Sequence, residues 1–137
     1  MSRITTYPIY VFTSIVFLTM AQKPEVVVQL GHSDKVSAVT FSPNGQFLIS
    51  GGGDNAIKIW DMKTGLLVRT LTGHKWPIKS VACSPDGKYI LSGSEDDYAR
   101  IWELTSGKLV KILPKHKNDV ETALFSPNGK VIATVSE

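Results

Sequence analysis

The chain has 137 residues, 42% of them apolar and 20% charged, which places it among globular proteins and excludes a disordered tail. Its formal charge of +3 comes from Lys and Arg scattered among Asp and Glu, so no basic block forms a nucleic-acid footprint and no nucleic-acid partner is expected. The single cysteine, Cys83, excludes an internal disulfide, and no Cys or His cluster has metal-ligand spacing, so neither metal nor other cofactor is expected.

Residues 1–21 read as a segment apart. Arg3 gives a weakly basic start, and Ile9 to Thr19 is almost wholly apolar. Thr19 and Ala21 put small residues at the −3 and −1 positions of a cut, and polar Gln22-Lys23-Pro24 follows. That is the layout of a signal peptide, which implies export to a periplasm or outside the cell and no membrane contact once the leader is removed. Two alternatives stand beside it. An uncleaved anchor over residues 7–21 would fall short of the roughly 20 apolar residues that span a bilayer. A buried first strand, in a cytoplasmic protein, suits the Ile, Val, Tyr and Phe content.

The remaining residues, 22–137, are organised by repetition, the first feature to seek in such a chain. His32, His74 and His116 lie 42 residues apart. Ser42-Pro43-Asn44-Gly45 recurs as Ser84-Pro85-Asp86-Gly87 and Ser126-Pro127-Asn128-Gly129. The units are residues 31–72, 73–114 and a shortened 115–137, with Glu25 to Leu30 in the place of the last strand of an earlier unit.

Each unit reads as four strands. Val36 to Ser42, Ile78 to Ser84 and Val120 to Ser126 alternate apolar with small or polar residues, so one face is buried. The Ser-Pro-Asn/Asp-Gly step is turn chemistry, because proline presets one φ and glycine accepts a positive one. Phe47 to Gly51, Tyr89 to Gly93 and Val131 to Val135 follow as second strands. Tight polar turns then lead into Ala56 to Trp60 and Tyr98 to Trp102, and last strands run over Leu66 to Leu71 and Lys108 to Leu113. Short strands at this spacing define an all-β fold. Cys83 sits in the apolar run from Ile78 and is expected to be a small buried hydrophobe, not a reactive thiol.

The pattern resembles the WD-repeat β-propeller family. The resemblance rests on Gly31-His32, Phe41 to Gly45, Leu48 to Gly51, Asp54 and Ile57 to Asp61, and again on Gly73-His74, Ser92-Gly93, Asp96 and Ile101-Trp102-Glu103. It implies a partial propeller: about 2.5 four-stranded antiparallel blades plus a donor strand at 25–30, preceded by an N-terminal apolar leader. Departures are Glu103 for the closing Asp, Lys115 for Gly, Cys83 for the aromatic seen as Phe41 and Phe125, and the stop at Glu137 inside the third unit.

The resemblance also implies one buried hydrogen-bond network per unit. It would comprise His32, Ser50, Asp54 and Trp60 in the first unit, His74, Ser92, Asp96 and Trp102 in the second, and His116 with Thr134 in the third. The residue types suit a relay. Indole N–H only donates, serine both accepts and donates, neutral imidazole accepts on one nitrogen and donates from the other, and carboxylate only accepts.

Catalytic readings fare poorly. Ser, His and Asp suggest a hydrolase triad, but the set recurs in two units, its hydroxyl would be engaged by an indole, and no Gly-x-Ser-x-Gly elbow is present. Gly51-Gly52-Gly53 has no following Lys or helix and is no phosphate loop. Asp54 and the Glu95-Asp96-Asp97 run match no calcium loop. The chain is therefore expected to be a non-catalytic scaffold for a protein or peptide partner. The alternative is an accessory propeller region of an enzyme whose catalytic domain lies elsewhere. Because blades bury their faces only against neighbours, further blades are expected, from a longer chain of which this is a fragment or by assembly of copies. Candidate partner-binding residues follow each histidine: Asp34 and Lys35, Lys75 and Trp76, and Asn118 and Asp119. Trp76 occupies the slot of polar Asp34 and Asn118, and an exposed tryptophan can anchor an interface.

Overall fold

The computed structural model describes residues 11–12, 15–16 and 31–137. Most of the leader and all of the donor segment expected at 25–30 lie outside the described residues. Within the leader, β1 (Val11–Phe12) pairs antiparallel with β2 (Ile15–Val16).

From Val36 onward the chain is strand and turn. β3 (Val36–Phe41), β4 (Phe47–Gly52), β5 (Ile57–Asp61) and β6 (Leu67–Leu71) form one antiparallel sheet in that order. β7 (Ile78–Cys83), β8 (Tyr89–Ser94), β9 (Ala99–Glu103) and β10 (Leu109–Ile112) form a second of the same order. β11 (Val120–Phe125) and β12 (Ile132–Ser136) form a two-stranded third. The third strand of each full unit starts one residue later than the alternation predicts. Asn55 and Asp97 adopt left-handed φ of 65° and 68°, and Ala56 and Tyr98 close the turn before pairing begins. Asn and Asp tolerate that region better than other residues with a side chain.

The turn between the first two strands is built identically three times. Ser42 Oγ donates to Asn44 Oδ1 at 2.7 Å and accepts from Phe47 N at 2.9 Å. Ser84 with Asp86 and Tyr89, and Ser126 with Asn128 and Val131, repeat this. Gly45, Gly87 and Gly129 supply positive φ of 71°, 72° and 69°.

The sheets stack face to face. Ile49, Ile57, Ile59 and Leu71 of the first pack on Ile78, Val81, Ile90, Trp102 and Leu104 of the second. Leu91 and Ala99 pack on Val120 and Ala123 of the third, with Phe125 and Ile132 at the margin. Each fully buried aliphatic side chain contributes about 1.5–3 kcal/mol. These two joints hold the stack together. Cys83 is half-buried against the first joint, where burial raises its thiol pKa above the usual value.

Every inner strand carries a register shift after its first residue: Val36/Ala38, Ile78/Ser80 and Val120/Thr122. Such bulges re-aim one side chain. Ser37 Oγ thereby donates to the Ile78 carbonyl of the next sheet, and Lys79 Nζ reaches Glu95 Oε1 at 3.1 Å and Glu121 Oε1 of the third sheet at 3.6 Å.

Candidate functional site

In the first sheet, Leu48 lies opposite Trp60 across the β4–β5 pair, and Ser50 follows two residues along on the same face. The indole therefore reaches the hydroxyl, and Trp60 Nε1 donates to Ser50 Oγ at 3.0 Å. Ser50 passes its own proton to His32 Nε2 at 2.8 Å, and His32 Nδ1–H donates to Asp54 Oδ1 at 2.7 Å. Asp54 also accepts from Ser33 N at 3.0 Å and Ala56 N at 3.3 Å. One chain of bonds thus ties the loop before β3, the middle of β4, the β4–β5 turn and β5.

The second sheet repeats this geometry. Trp102 Nε1 donates to Ser92 Oγ at 2.9 Å, Ser92 to His74 Nε2 at 2.8 Å, and His74 Nδ1 to Asp96 Oδ2 at 2.9 Å. A fifth member joins here. The Arg100 guanidinium donates to Asp96 Oδ2 at 2.6 Å, lies against His74 Nδ1, and sits 5.4 Å from the Tyr98 ring centroid. In the first sheet the matching residue, Lys58, instead donates to Thr70 Oγ1 on β6 at 3.2 Å. Only that Lys/Arg difference between the repeats signals the extra member in the sequence. The third unit brings Thr134 Oγ1 to His116 Nε2 at 3.0 Å, and Ser136 Oγ stands 3.2 Å from His116 Nδ1 where the carboxylates stand in the other units.

Electrostatics follow from burial and these bonds. Burial drives the His74 pKa down to about 4, with Arg100 adding to the shift and Asp96 opposing it. Burial pushes the Asp96 and Asp54 carboxyls upward, but the bonds from backbone N–H groups, imidazole and, for Asp96, Arg100 outweigh it and leave both below the usual carboxylate range. The second relay therefore rests with neutral imidazole and ionised carboxylate. Ser50 and Ser92 are both 0% exposed, with their hydroxyls enclosed by the relay. Among the described residues, no group of three or more His, Cys, Asp or Glu could hold a metal ion.

The candidate contact residues all lie at one end of the sheets, where the loops leading into β3, β7 and β11 meet the β4–β5 and β8–β9 turns. Asn55 Nδ2 donates to the Lys75 carbonyl at 3.1 Å, and His116 N donates to the Asp97 carbonyl at 2.9 Å, so each turn clasps the next unit's leading loop. Asp34, Lys35 and Asn118 are exposed, and Asn118 Nδ2 donates to the Glu137 carbonyl at 2.6 Å. Asp119 is half-buried near Lys79. Lys75 and Trp76 share a cleft with Tyr98, Arg100, Ile112 and Lys115, and the acidic Glu95, Asp96 and Asp97 line it too. Trp76 is 59% exposed there. Tyr98, Ile112 and Lys115 lie 22 to 39 residues beyond Trp76 in the sequence, and no local pattern joins them to it.

Stacked antiparallel sheets, the first two each locked by an indole–hydroxyl–imidazole–carboxylate relay, define a repeat protein of the propeller type. The family model "WD domain, G-beta repeat" matches residues 24–61, 65–103 and 107–137, and the chain belongs to this WD40 family. Proteins of this family generally serve as protein-interaction scaffolds without catalysis of their own. The second and third matched segments straddle the sheets, beginning just before β6 and β10 and ending in the following sheet.

Among relatives, the uncharacterized WD repeat-containing protein sll1491 of Synechocystis sp. is 51% identical over 43 residues, 31% of this chain and 12% of that protein. The ribosome biogenesis protein BOP1 homologs of Drosophila erecta and Drosophila melanogaster are each 43% identical over 47 residues, 34% of this chain and 6% of theirs. The aligned stretches thus cover only a small part of those relatives.

Proposed function

We propose that this chain is a non-catalytic scaffold that holds a protein or peptide partner at the cleft around Trp76. The observation that supports it is the 59% exposed indole, set beside Tyr98 and Ile112 and flanked by Lys75 and Lys115. Rigid, partly apolar aromatics framed by charge anchor many interfaces. The rigidity here comes from the relay below: Lys75 N donates to Asp96 Oδ2 at 3.0 Å, which fixes the loop that carries Trp76. The apolar leader supports export of the chain.

Panning a displayed peptide library on the immobilised chain tests the reading. Binders are expected whose capture falls at least tenfold on Trp76→Ala, with the melting temperature unchanged. Recovery of binders indifferent to Trp76, or of none, would sink it. Acrylamide should quench Trp76 fluorescence freely in the unbound chain. Incubation with ester substrates and a serine-reactive phosphonate should leave Ser50 and Ser92 unmodified; labelling of either would turn the reading toward an enzyme.

A further inference from the structure

The cleft around Trp76 belongs to the second unit and is not repeated in the first. Ser33, Asp34, Ala56, Thr70 and Gly73 stand 42 residues before Lys75, Trp76, Tyr98, Ile112 and Lys115, and every replacement enlarges the side chain. Of the residues that line the cleft, only Asp96, which the relay requires, matches its counterpart, Asp54. The cleft opens beside the joint between the two four-stranded sheets. Ile112 lies opposite Arg100 across the β9–β10 pair, on the face that also carries Ile90 and Trp102. That face is the one packed on the first sheet.

Its charges decide what it can accept. Three carboxylates line it, and each is already matched. Asp96 is held by Arg100 at 2.6 Å, by His74 and by Lys75 N. Asp97 pairs with Lys115 at 3.3 Å, and Glu95 with Lys79 at 3.1 Å. Lys75 is exposed, and among the described residues no carboxylate lies within ion-pairing distance of its ammonium. The uncommitted charge of the cleft is therefore a cation, next in sequence to the exposed indole. A carboxylate can approach Lys75 without displacing an existing pair, whereas a cationic side chain has to break one.

We propose that the cleft takes an acidic peptide: an Asp or Glu side chain pairs with Lys75, and an aromatic or large aliphatic neighbour lies on Trp76 and Ile112. This assignment rests on the Trp76 cleft being the partner-binding surface. The apolar contact supplies most of the affinity, and the carboxylate selects the partner and fixes its direction along the cleft. Lys115 stands in reserve. Its side chain is 59% exposed, and an exposed ion pair such as the one with Asp97 contributes little.

Displayed peptide libraries test this on the immobilised full chain. Each library carries a fixed Phe, with its neighbours drawn from Asp and Glu in one, Lys and Arg in another, and Ser and Asn in the last. The acidic library should be captured about tenfold better than the neutral one, and its capture should weaken as salt is raised. Lys75→Glu should reverse the order in favour of the basic library. Its melting temperature should match the parent's, because the Lys75 side chain is exposed and the bond to Asp96 comes from the backbone. Asp97→Asn frees Lys115 and should tighten acidic peptides about threefold. The turn tolerates that change, since Asn55 adopts the same left-handed backbone in the first unit. Trp76-dependent binders drawn equally from all the libraries, or mainly from the basic one, overturn the acidic assignment and leave the cleft as a partner site. A Lys75→Glu chain that keeps its preference for acidic peptides does the same. Absence of any Trp76-dependent binder overturns both.

Discussion

The first and second sheets carry the same four relay residues at nearly the same distances, yet the two relays are not electrostatically equal. In the first, Lys58 points away to Thr70 and the carboxylate is served by imidazole and backbone N–H groups. In the second, Arg100 turns inward, is 6% exposed, and pairs with Asp96 while pressing on His74. In the first sheet the four-residue relay ties the leading loop, β4, the β4–β5 turn and β5. The fifth residue converts it into a buried charge cluster, which is costly to break but adds little if both charges are removed together.

That contrast can be broken most severely at Asp96. Asp96→Ala strands the Arg100 guanidinium and should cost about 3–5 kcal/mol, whereas Asp54→Ala, which strands no buried cation, should cost about 1–3 kcal/mol. Urea unfolding of the two variants measures the difference, and equal losses would show that Arg100 is not energetically part of the second relay. Trp60→Phe and Trp102→Phe each remove one indole donor and leave serine with an unused acceptor, for an expected loss of about 1–3 kcal/mol apiece. Melts matching the parent would show that the relay contributes nothing to stability.

Acid should expose the same difference. His74 has a folded pKa of about 4 against an ordinary value of 6.5, so between those pH values the unfolded chain binds a proton that the folded chain refuses. Stability should therefore fall as pH drops from 6.5 toward 4, and fall further once Asp54 and Asp96, held below the usual carboxylate range, are protonated. His74→Gln should flatten the upper part of that decline, and an unchanged slope would assign it to another group. Arg100→Lys, which brings the second relay nearer the first, should raise the His74 pKa in an NMR titration. The smallest effect belongs to the third unit. Ser136→Ala removes a neutral partner of His116 and should cost about 0.5–1.5 kcal/mol, read as faster hydrogen exchange in β12.

Much of this was legible in one dimension because the repeat aligns without gaps. A spacing of 42 residues places His, Ser, Asp and Trp at fixed intervals, and once the strand order is known those intervals bring them together. The Trp76 cleft was half legible. The aromatic in a polar slot marks its anchor, but Ile112 and Lys115 join it only because β10 pairs with β9 and returns the chain to the same end. Arg100 could not be assigned from its residue type, since Lys and Arg at that position have the same charge and similar reach. Only the packing around each sheet decides which of them turns inward.

The residues alone determined the repeat and the turns, because these depend on local φ preferences, and the resemblance to the WD-repeat family named the core members of each relay, whose donor–acceptor chemistry suits their places. Tertiary structure decided the rest: which charge is buried, which tryptophan stays open to solvent, and that Gly51 and Gly93 leave room for Ile78 and Val120 of the next sheet. Those facts belong to the space between sheets, where a side chain's meaning is set by the atoms facing it from another part of the chain.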